Sequence, residues 1–109
     1  MAVTYKSLGQ AAPLATTETD LYTVPGATSA VTSSLVVCNR GATATTFRVS
    51  ASVGGGATAN KDYLYYDVSI PAGDTFIATV GITLAATDKV RVYAGNANLS
   101  FSLWGSENT

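Results

Sequence analysis

Residues 75–84 read Thr-Phe-Ile-Ala-Thr-Val-Gly-Ile-Thr-Leu, with an apolar residue at every second position from Phe76 to Leu84. Residues 46–53, Thr-Phe-Arg-Val-Ser-Ala-Ser-Val, alternate in the same way, with the apolar residues at the odd numbers. Successive side chains of a β-strand point to opposite faces of the sheet, so this period of two is typical of strands with one buried side. Both segments therefore predict strands of a layered, all-β protein.

Turn-forming residues divide the rest of the chain at the short intervals expected of a β-sandwich or barrel, among them Pro25-Gly26, Gly54-Gly55-Gly56 and Pro71-Ala72-Gly73-Asp74. No segment keeps a helical period over three turns. We expect eight strands, near 2–8, 18–24, 29–38, 45–53, 62–70, 74–84, 89–94 and 98–106. They predict a single antiparallel β-sandwich domain over residues 1–109, of jelly-roll or immunoglobulin-like connectivity. A Cys pair around a Trp, the mark of an immunoglobulin domain proper, is absent from the sequence, which otherwise leaves both topologies open.

The alternation also assigns an inward face to each later strand. The residues expected to face the core are Phe47, Val49, Ala51, Val53, Val31, Leu35, Val37, Leu64, Tyr66, Val68, Ile70, Val90, Val92, Ala94, Leu99, Phe101 and Leu103. Residues 1–17 are open to two interpretations, an extended N-terminal arm or a first strand followed by a loop.

Composition narrows the classes of function. The 109 residues suffice for one domain with a core of its own, and the charged fraction of 12% is about half the globular average. Such a low charge suits a surface that other protein covers in part. The net charge is −1 and the six Lys and Arg residues are scattered singly, so we expect no direct contact with nucleic acid, which requires a positive field. No apolar run approaches the length of a membrane span, and we expect no membrane partner.

The sequence contains few of the residues that reactive sites use. The chain has no His, the commonest general base and metal ligand, and its single cysteine, Cys38, follows Leu-Val-Val and is expected to be a small buried apolar side chain. Asp62 and Asp67 lie five residues apart on a predicted strand, which places them on opposite faces and leaves a carboxylate pair for glycoside hydrolysis unsupported. A calcium site at Asp62, Asp88 or Asn96 has no recognisable spacing. We expect no enzymatic activity, no cofactor and no metal.

Several large side chains are predicted to point away from the core, and Tyr, Trp and Arg are the residue types enriched at interaction hot spots. These candidate interface residues are Tyr63, Tyr65, Ile77, Tyr93, Trp104, Arg48 and Arg91. Contact with another protein chain is the favoured interpretation. The alternatives are a glycan platform in which Tyr63, Tyr65 and Trp104 stack on sugar rings, or scattered surface aromatics without a partner.

Six segments in order along nearly the whole chain carry a resemblance to a known family: LGQAAP at 8–13, LYTVP at 21–25, VVCNRG at 36–41, YLYYD at 63–67, GITLA at 81–85 and RVYA at 91–94. They resemble a family of small β-rich virion structural proteins of tailed bacteriophages, including cyanophages, whose members are similar to capsid cement (decoration) proteins or small tail proteins. No catalytic or ligand-binding residue carries over from it.

The resemblance implies a protein that is made in the host cytoplasm and resides in the virion, more often on the capsid exterior than in the tail. It implies a homo-oligomer, expected to be a trimer, that clamps neighbouring subunits of the major capsid protein. A tail or tail-fibre component and a host-receptor or glycan-binding module are the alternatives.

Overall fold

The computed structural model describes residues 2–109, and these form nine antiparallel strands in two sheets. The strands are β1 (Val3–Ala11), β2 (Thr19–Thr23), β3 (Ser29–Asn39), β4 (Thr45–Ser52), β5 (Tyr63–Ile70), β6 (Thr75–Thr79), β7 (Thr83–Leu84), β8 (Lys89–Ala94) and β9 (Leu99–Asn108). Sheet I has the order β1-β9-β3-β6, with β7 also paired to β3, and sheet II has the order β2-β8-β4-β5. The predicted all-β sandwich is confirmed. No helix in this part of the chain is long and apolar enough to cross a membrane.

The pairing of strands resolves the topology. With β6 and β7 counted as one interrupted strand, β1 pairs with β9, β2 with β8, β3 with β6 and β7, and β4 with β5. These nested pairs alternate between the two sheets, as in a long hairpin rolled up on itself, and the β3–β9 and β4–β8 pairs complete each sheet. This is the jelly-roll arrangement, one of the two topologies that the sequence had left open.

The core lies between the sheets and is built from the inward positions of both. Phe47 is completely buried at its centre, with its ring centroid 5.1 Å from that of Phe76 and 6.1 Å from that of Phe101. The inward rows predicted for β8 and β9 are buried throughout. Close contact between the sheets also requires small residues, since a Cβ on Gly9 would collide with the main-chain oxygen of Leu21.

The predicted inward rows of β3 and β5 are wrong in part, because β-bulges shift the alternation by one residue. In β3 the register shifts between Thr32 and Ser34, so that Thr32 is buried and Val31 is exposed. Val53 is also exposed, because β4 ends at Ser52 and a short 3-10 turn follows. Cys38, expected to be buried, is half-exposed on the outer side of β3.

The predicted strand 74–84 is divided in two by Thr32 of the neighbouring strand. The Thr32 hydroxyl donates a hydrogen bond to the carbonyl of Val80 and accepts one from the amide of Ile82 at 3.2 Å. The Thr32 side chain therefore takes up main-chain groups of both residues, while the Thr32 amide still donates to the carbonyl of Ile82 at 3.0 Å, and regular pairing stops between β6 and β7. At the other end of the chain, β1 continues to Ala11, paired with β9, and a loop follows it.

Candidate functional site

The outer side of sheet I is a broad surface with exposed apolar side chains. Tyr5 is 84% exposed, Ile77 68%, Val31 48% and Trp104 41%. Strand register places them on one surface, because Val36 pairs with both Ile77 and Ser102, and Ser106 pairs with both Tyr5 and Val31. Exposed apolar side chains that share one surface mark it as a candidate interaction site.

We call this surface the uncharged face. Alternation and register assign the following outward positions to it: Val3, Tyr5, Ser7, Gln10, Val31, Ser34, Val36, Cys38, Thr75, Ile77, Thr79, Thr83, Ser100, Ser102, Trp104, Ser106 and Asn108. Every one of these positions, drawn from the strands described above, holds an uncharged residue. The nearest cations lie at its margins, where Lys6 borders one hollow and the Arg40 Nε donates to the Ser100 hydroxyl at 2.7 Å.

Several polar groups of the uncharged face are already satisfied within the sheet. The indole Nε1 of Trp104 donates to the hydroxyl of Ser102 at 3.1 Å, and the Ser33 hydroxyl donates to the main-chain oxygen of Trp104 at 3.1 Å. Covering a polar group without a partner costs free energy, whereas covering one that keeps its hydrogen bond costs little. An apolar surface can therefore cover this face without leaving the indole N–H of Trp104 unpaired.

Two shallow hollows lie on this face. One, of about 490 Å³, lies between Tyr5, Val31 and Trp104, and the other, of about 430 Å³, lies beside Val36 and Cys38. Both are open to solvent and are lined mainly by apolar and hydroxyl groups. Their shape suits the projecting side chains of another protein better than it suits an enclosed small molecule.

The outer side of sheet II has the opposite character, because its charges are paired with one another. The guanidinium carbon of Arg48 lies 4.3 Å from the ring centroid of Tyr66 and 4.5 Å from that of Tyr93. Its Nε also donates to the Asp67 carboxylate at 2.6 Å. This hydrogen bond, with the smaller attraction of the same carboxylate and the two rings, raises the pKa of Arg48 above its ordinary value although burial opposes it. Arg48 therefore has its preferred partners within its own chain.

Arg91 holds a loop in place on the same side. Its Nη1 donates to the carbonyl of Gly56 at 2.6 Å and to the hydroxyl of Thr58 at 3.0 Å, and its Nη2 donates to the carbonyl of Gly55 at 3.1 Å. Its Nε donates to Asp20 at 2.9 Å. The guanidinium of Arg91 thus holds the loop at 53–62 against the sheet. The sequence predicts Arg91 as an interface residue and does not indicate this structural role.

Tyr65 was predicted to point outward, and the structure contradicts this. Its ring packs on the core, with its centroid 5.3 Å from that of Phe76 and 6.3 Å from that of Phe47. Two register shifts in the β4–β5 pair are the cause, one of them at Asp67, whose φ is 51°. The same shifts turn Leu64 and Tyr66, both predicted to face the core, toward solvent.

The remaining candidates are separated rather than brought together. Ile77 and Trp104 lie on the uncharged face, whereas Tyr63, Tyr93, Arg48 and Arg91 lie on the outer side of sheet II. Sequence reasoning missed Tyr5 and Val31, the two exposed residues beside Trp104. The alternation of Val3 and Tyr5 with Thr4 and Lys6 could have revealed Tyr5, whereas the bulge that exposes Val31 leaves no sign in the local pattern.

The buried carboxylates have structural partners. Asp88 accepts hydrogen bonds from the amides of Gly54 at 2.7 Å and Ala85 at 2.9 Å. Asp62 accepts one from the amide of Ala59 at 2.8 Å, and this bond, together with Lys61 and Ser52, lowers the pKa of Asp62 although burial opposes it. Across residues 2–109, no three His, Cys, Asp or Glu side chains are grouped as metal ligands.

Comparison with known proteins adds little to this geometry. No family model and no curated protein matches the chain. Among solved structures, the chain is similar to the crystal structure of a pentameric capsid protein from metagenomic phage sequences, with 13% identity and a TM-score of 0.28 over 98% of this chain. The chain spans about 62% of the length of that protein. At this TM-score the likeness does not establish a common fold.

Proposed function

We propose that this chain is a structural protein of a bacteriophage virion, a capsid cement protein that stabilises the head by clamping neighbouring major capsid subunits. The observation that carries the proposal is the uncharged face, a broad and partly apolar surface on one side of the sandwich that is suited to contact with other protein chains. A clamp of this kind acts through contact area, repeated over many copies, and needs no reactive group.

Two further points support the proposal. The jelly-roll arrangement is one that viral capsid proteins use, although fold alone does not imply function. The sequence segments that resemble small phage virion proteins include LGQAAP, which lies at the end of β1 and the start of the loop that follows. A non-enzymatic role, without cofactor, membrane or nucleic-acid partner, is part of the proposal.

The test is a cryo-electron map of the particle that carries this chain, with copy number measured by quantitative mass spectrometry. We expect density at icosahedral positions on the outside of the shell, with the uncharged face against protein. A few copies at a unique vertex would contradict a cement role and support a tail component. Absence from purified particles would contradict a virion role altogether.

A glycan-binding role is the second candidate, and one observation favours it. Tyr63 and Tyr66 pack edge to face at 4.8 Å between centroids and line a hollow with Asn60. Tyr66 is 56% exposed, so an aromatic ring that can stack on a sugar and an amide that can hydrogen-bond its hydroxyls meet at the surface. Binding on a glycan array that is lost in Tyr66→Ala but retained in Tyr5→Ala would support this role over the cement role.

A further inference from the structure

We propose that the uncharged face packs against the same face of a second copy of this chain, so that two molecules associate about a two-fold axis through sheet I. The proposal goes beyond the proposed function by naming a second copy of this chain as the protein that covers this surface. It rests on the geometry of the face and stands or falls separately from the virion role.

The distribution of charge favours a second copy as the occupant. In a two-fold contact each surface residue meets the same patch of its partner, so an ionised group near the axis meets its own like charge. The uncharged face carries no ionised residue at any outward strand position in the described part of the chain. The outer side of sheet II, with Arg48, Arg91 and Lys89 paired to Asp67 and Asp20, has no such property.

The size of the face is sufficient. Four strands about 4.8 Å apart and about 30 Å long give a projected area of roughly 550 Å². Side chains roughen this surface, so two copies would together cover about 1,200 Å² or more, the lower end of the range for stable association. Packed sheets lie about 10 Å apart with their side chains interdigitated, a spacing that the projecting Tyr5 and Ile77 and the open hollows allow.

The cost of covering the face is low. Trp104 keeps its indole hydrogen bond to Ser102, so its ring can be buried while its donor stays satisfied. Trp104 has neighbours in β1 and β3 on either side, Ser7 and Ser34, which places it inside the face rather than at an edge. A large aromatic side chain at such a position, surrounded by small hydroxyl residues, is typical of an interaction hot spot.

The chain offers an internal probe of this contact, because Trp104 is its single Trp. Light scattering and Trp fluorescence would be recorded on the purified full chain over a dilution series. We expect a mass of two chains or an even multiple at high concentration, rather than the trimer that the family resemblance implies. Dilution should shift the emission to longer wavelength as Trp104 becomes exposed, in step with the loss of mass.

The matched pair of variants is Ile77→Asp and Leu14→Asp. Both residues are large, aliphatic and mostly exposed, at 68% and 73%, but only Ile77 lies on the uncharged face, whereas Leu14 lies in the loop after β1. In a two-fold contact the new charge appears twice, so we expect Ile77→Asp to weaken association at least about tenfold. Leu14→Asp should associate as the original chain does, and thermal melting of both variants would show whether the fold is retained.

A monomer at every concentration, a trimer, or an oligomer whose Trp emission is independent of dilution would each overturn the pairing. Equal association of the two variants would do so as well. The proposed function fails by a different observation. If the protein is a dimer in solution but is absent from purified particles, the pairing is retained and the virion role is contradicted. A particle map with the face against a different protein would keep the role and remove the pairing.

Discussion

Tyr22 of sheet II donates a hydrogen bond of 2.5 Å from its hydroxyl to the carboxylate of Glu107 in sheet I. The same carboxylate accepts from the Lys6 ammonium at 3.1 Å. Tyr22 is buried, and Glu107 lies on the core side of β9 near the end of that strand. The contact therefore joins the two sheets by a polar bond at a place where the hydrophobic core ends.

Replacing Tyr22 by Phe should destabilise the fold by about 1–3 kcal/mol, because a hydrogen bond to a charged acceptor is lost and Glu107 keeps only one side-chain partner. Urea unfolding would measure the difference. Tyr5→Phe is the control, since the Tyr5 side chain is 84% exposed and its hydroxyl makes no hydrogen bond within the described residues. Equal losses in the two variants would contradict a role for the Tyr22–Glu107 bond.

Stability should fall on both sides of neutrality, each for a stated reason. The hydrogen bond from Tyr22, and then that from Lys6, lower the pKa of Glu107 below its ordinary 4.5, although burial opposes them. A carboxyl whose pKa is lowered by folding stabilises the protein above its unfolded pKa and loses that effect as the pH falls through its folded pKa. Burial, and then Glu107, raise the pKa of Tyr22 above 10, so the stabilisation is complete below pH 10 and declines as the pH rises beyond it.

Melting temperatures recorded from acid to alkaline pH would check both limbs. Glu107→Gln should flatten the acid limb, and Tyr22→Phe should flatten the alkaline limb. The acid limb should not vanish in Glu107→Gln, because hydrogen bonds from Lys89 and Arg91 lower the pKa of Asp20 as well, with burial opposing them. A melting temperature independent of pH below 4.5 would contradict these assignments.

Tyr65→Ala should cost about 2–4 kcal/mol, because a ring that packs on Phe47 and Phe76 leaves a cavity when it is removed. Tyr66→Ala should cost about 1 kcal/mol or less, since that ring is 56% exposed and contributes only its contacts with Arg48 and Tyr63. The two residues are neighbours of the same type, which makes each the control for the other. Chemical denaturation would measure the loss of stability in each variant. A larger loss in Tyr66→Ala than in Tyr65→Ala would contradict the inward position of Tyr65 and support the alternation that the sequence predicts.

Gly9→Ala should prevent the native packing of the sheets. A Cβ at this position would overlap the main-chain oxygen of Leu21, and main chain cannot move aside as a flexible side chain does. Gly26→Ala is the control, because no other atom lies within 4 Å of its added Cβ. Circular dichroism and thermal melting would show the difference, and a Gly9→Ala variant as stable as Gly26→Ala would contradict the close approach of β1 and β2.

Arg91→Lys should loosen residues 53–62, because one ammonium cannot reach the carbonyls of Gly55 and Gly56 and the hydroxyl of Thr58 together. Hydrogen–deuterium exchange should rise in this loop while the β3–β9 pair stays protected. Arg40→Lys is the control. Arg40 contacts Ala97, in the turn between β8 and β9, and Ser100 in β9, and it makes no contact with the loop at 53–62 among these hydrogen bonds. Unchanged exchange in Arg91→Lys would remove Arg91 as the residue that fixes the loop.

The sequence predicts the layered all-β architecture and most strand positions, because alternation of apolar residues is a local signal. It fails where a bulge shifts the alternation, as at Ser33 in β3 and between Leu64 and Asp67 in β5. A bulge is decided by the facing strand, which the local pattern does not contain. Tyr65 was misassigned for this reason.

The candidate site was predicted only in part for a related reason. Ile77 and Trp104 were found on an outward face, but the separation of the outward residues onto two opposite surfaces depends on which strand joins which sheet. Arg48 and Arg91 were expected to be available for a partner, and their internal contacts with Asp67, Tyr66 and Gly56 come from strands and loops distant in sequence. The low overall charge was visible in the composition, whereas its unequal distribution appears only once the sheets are assembled.

The unequal distribution of charge between the two outer surfaces predicts that they respond differently to salt. Dissolved ions weaken interactions between exposed charges, largely screening those more than about 10 Å apart at 0.1 M ionic strength, and they have nothing to screen where both surfaces are neutral. The proposed pairing through sheet I should therefore not weaken as the ionic strength rises, and excluded salts such as sulfate should strengthen it. The ion pairs of Arg48 and Lys89 lie on the outer side of sheet II and should weaken as the salt concentration rises. Salt should therefore affect the outer side of sheet II but not the uncharged face.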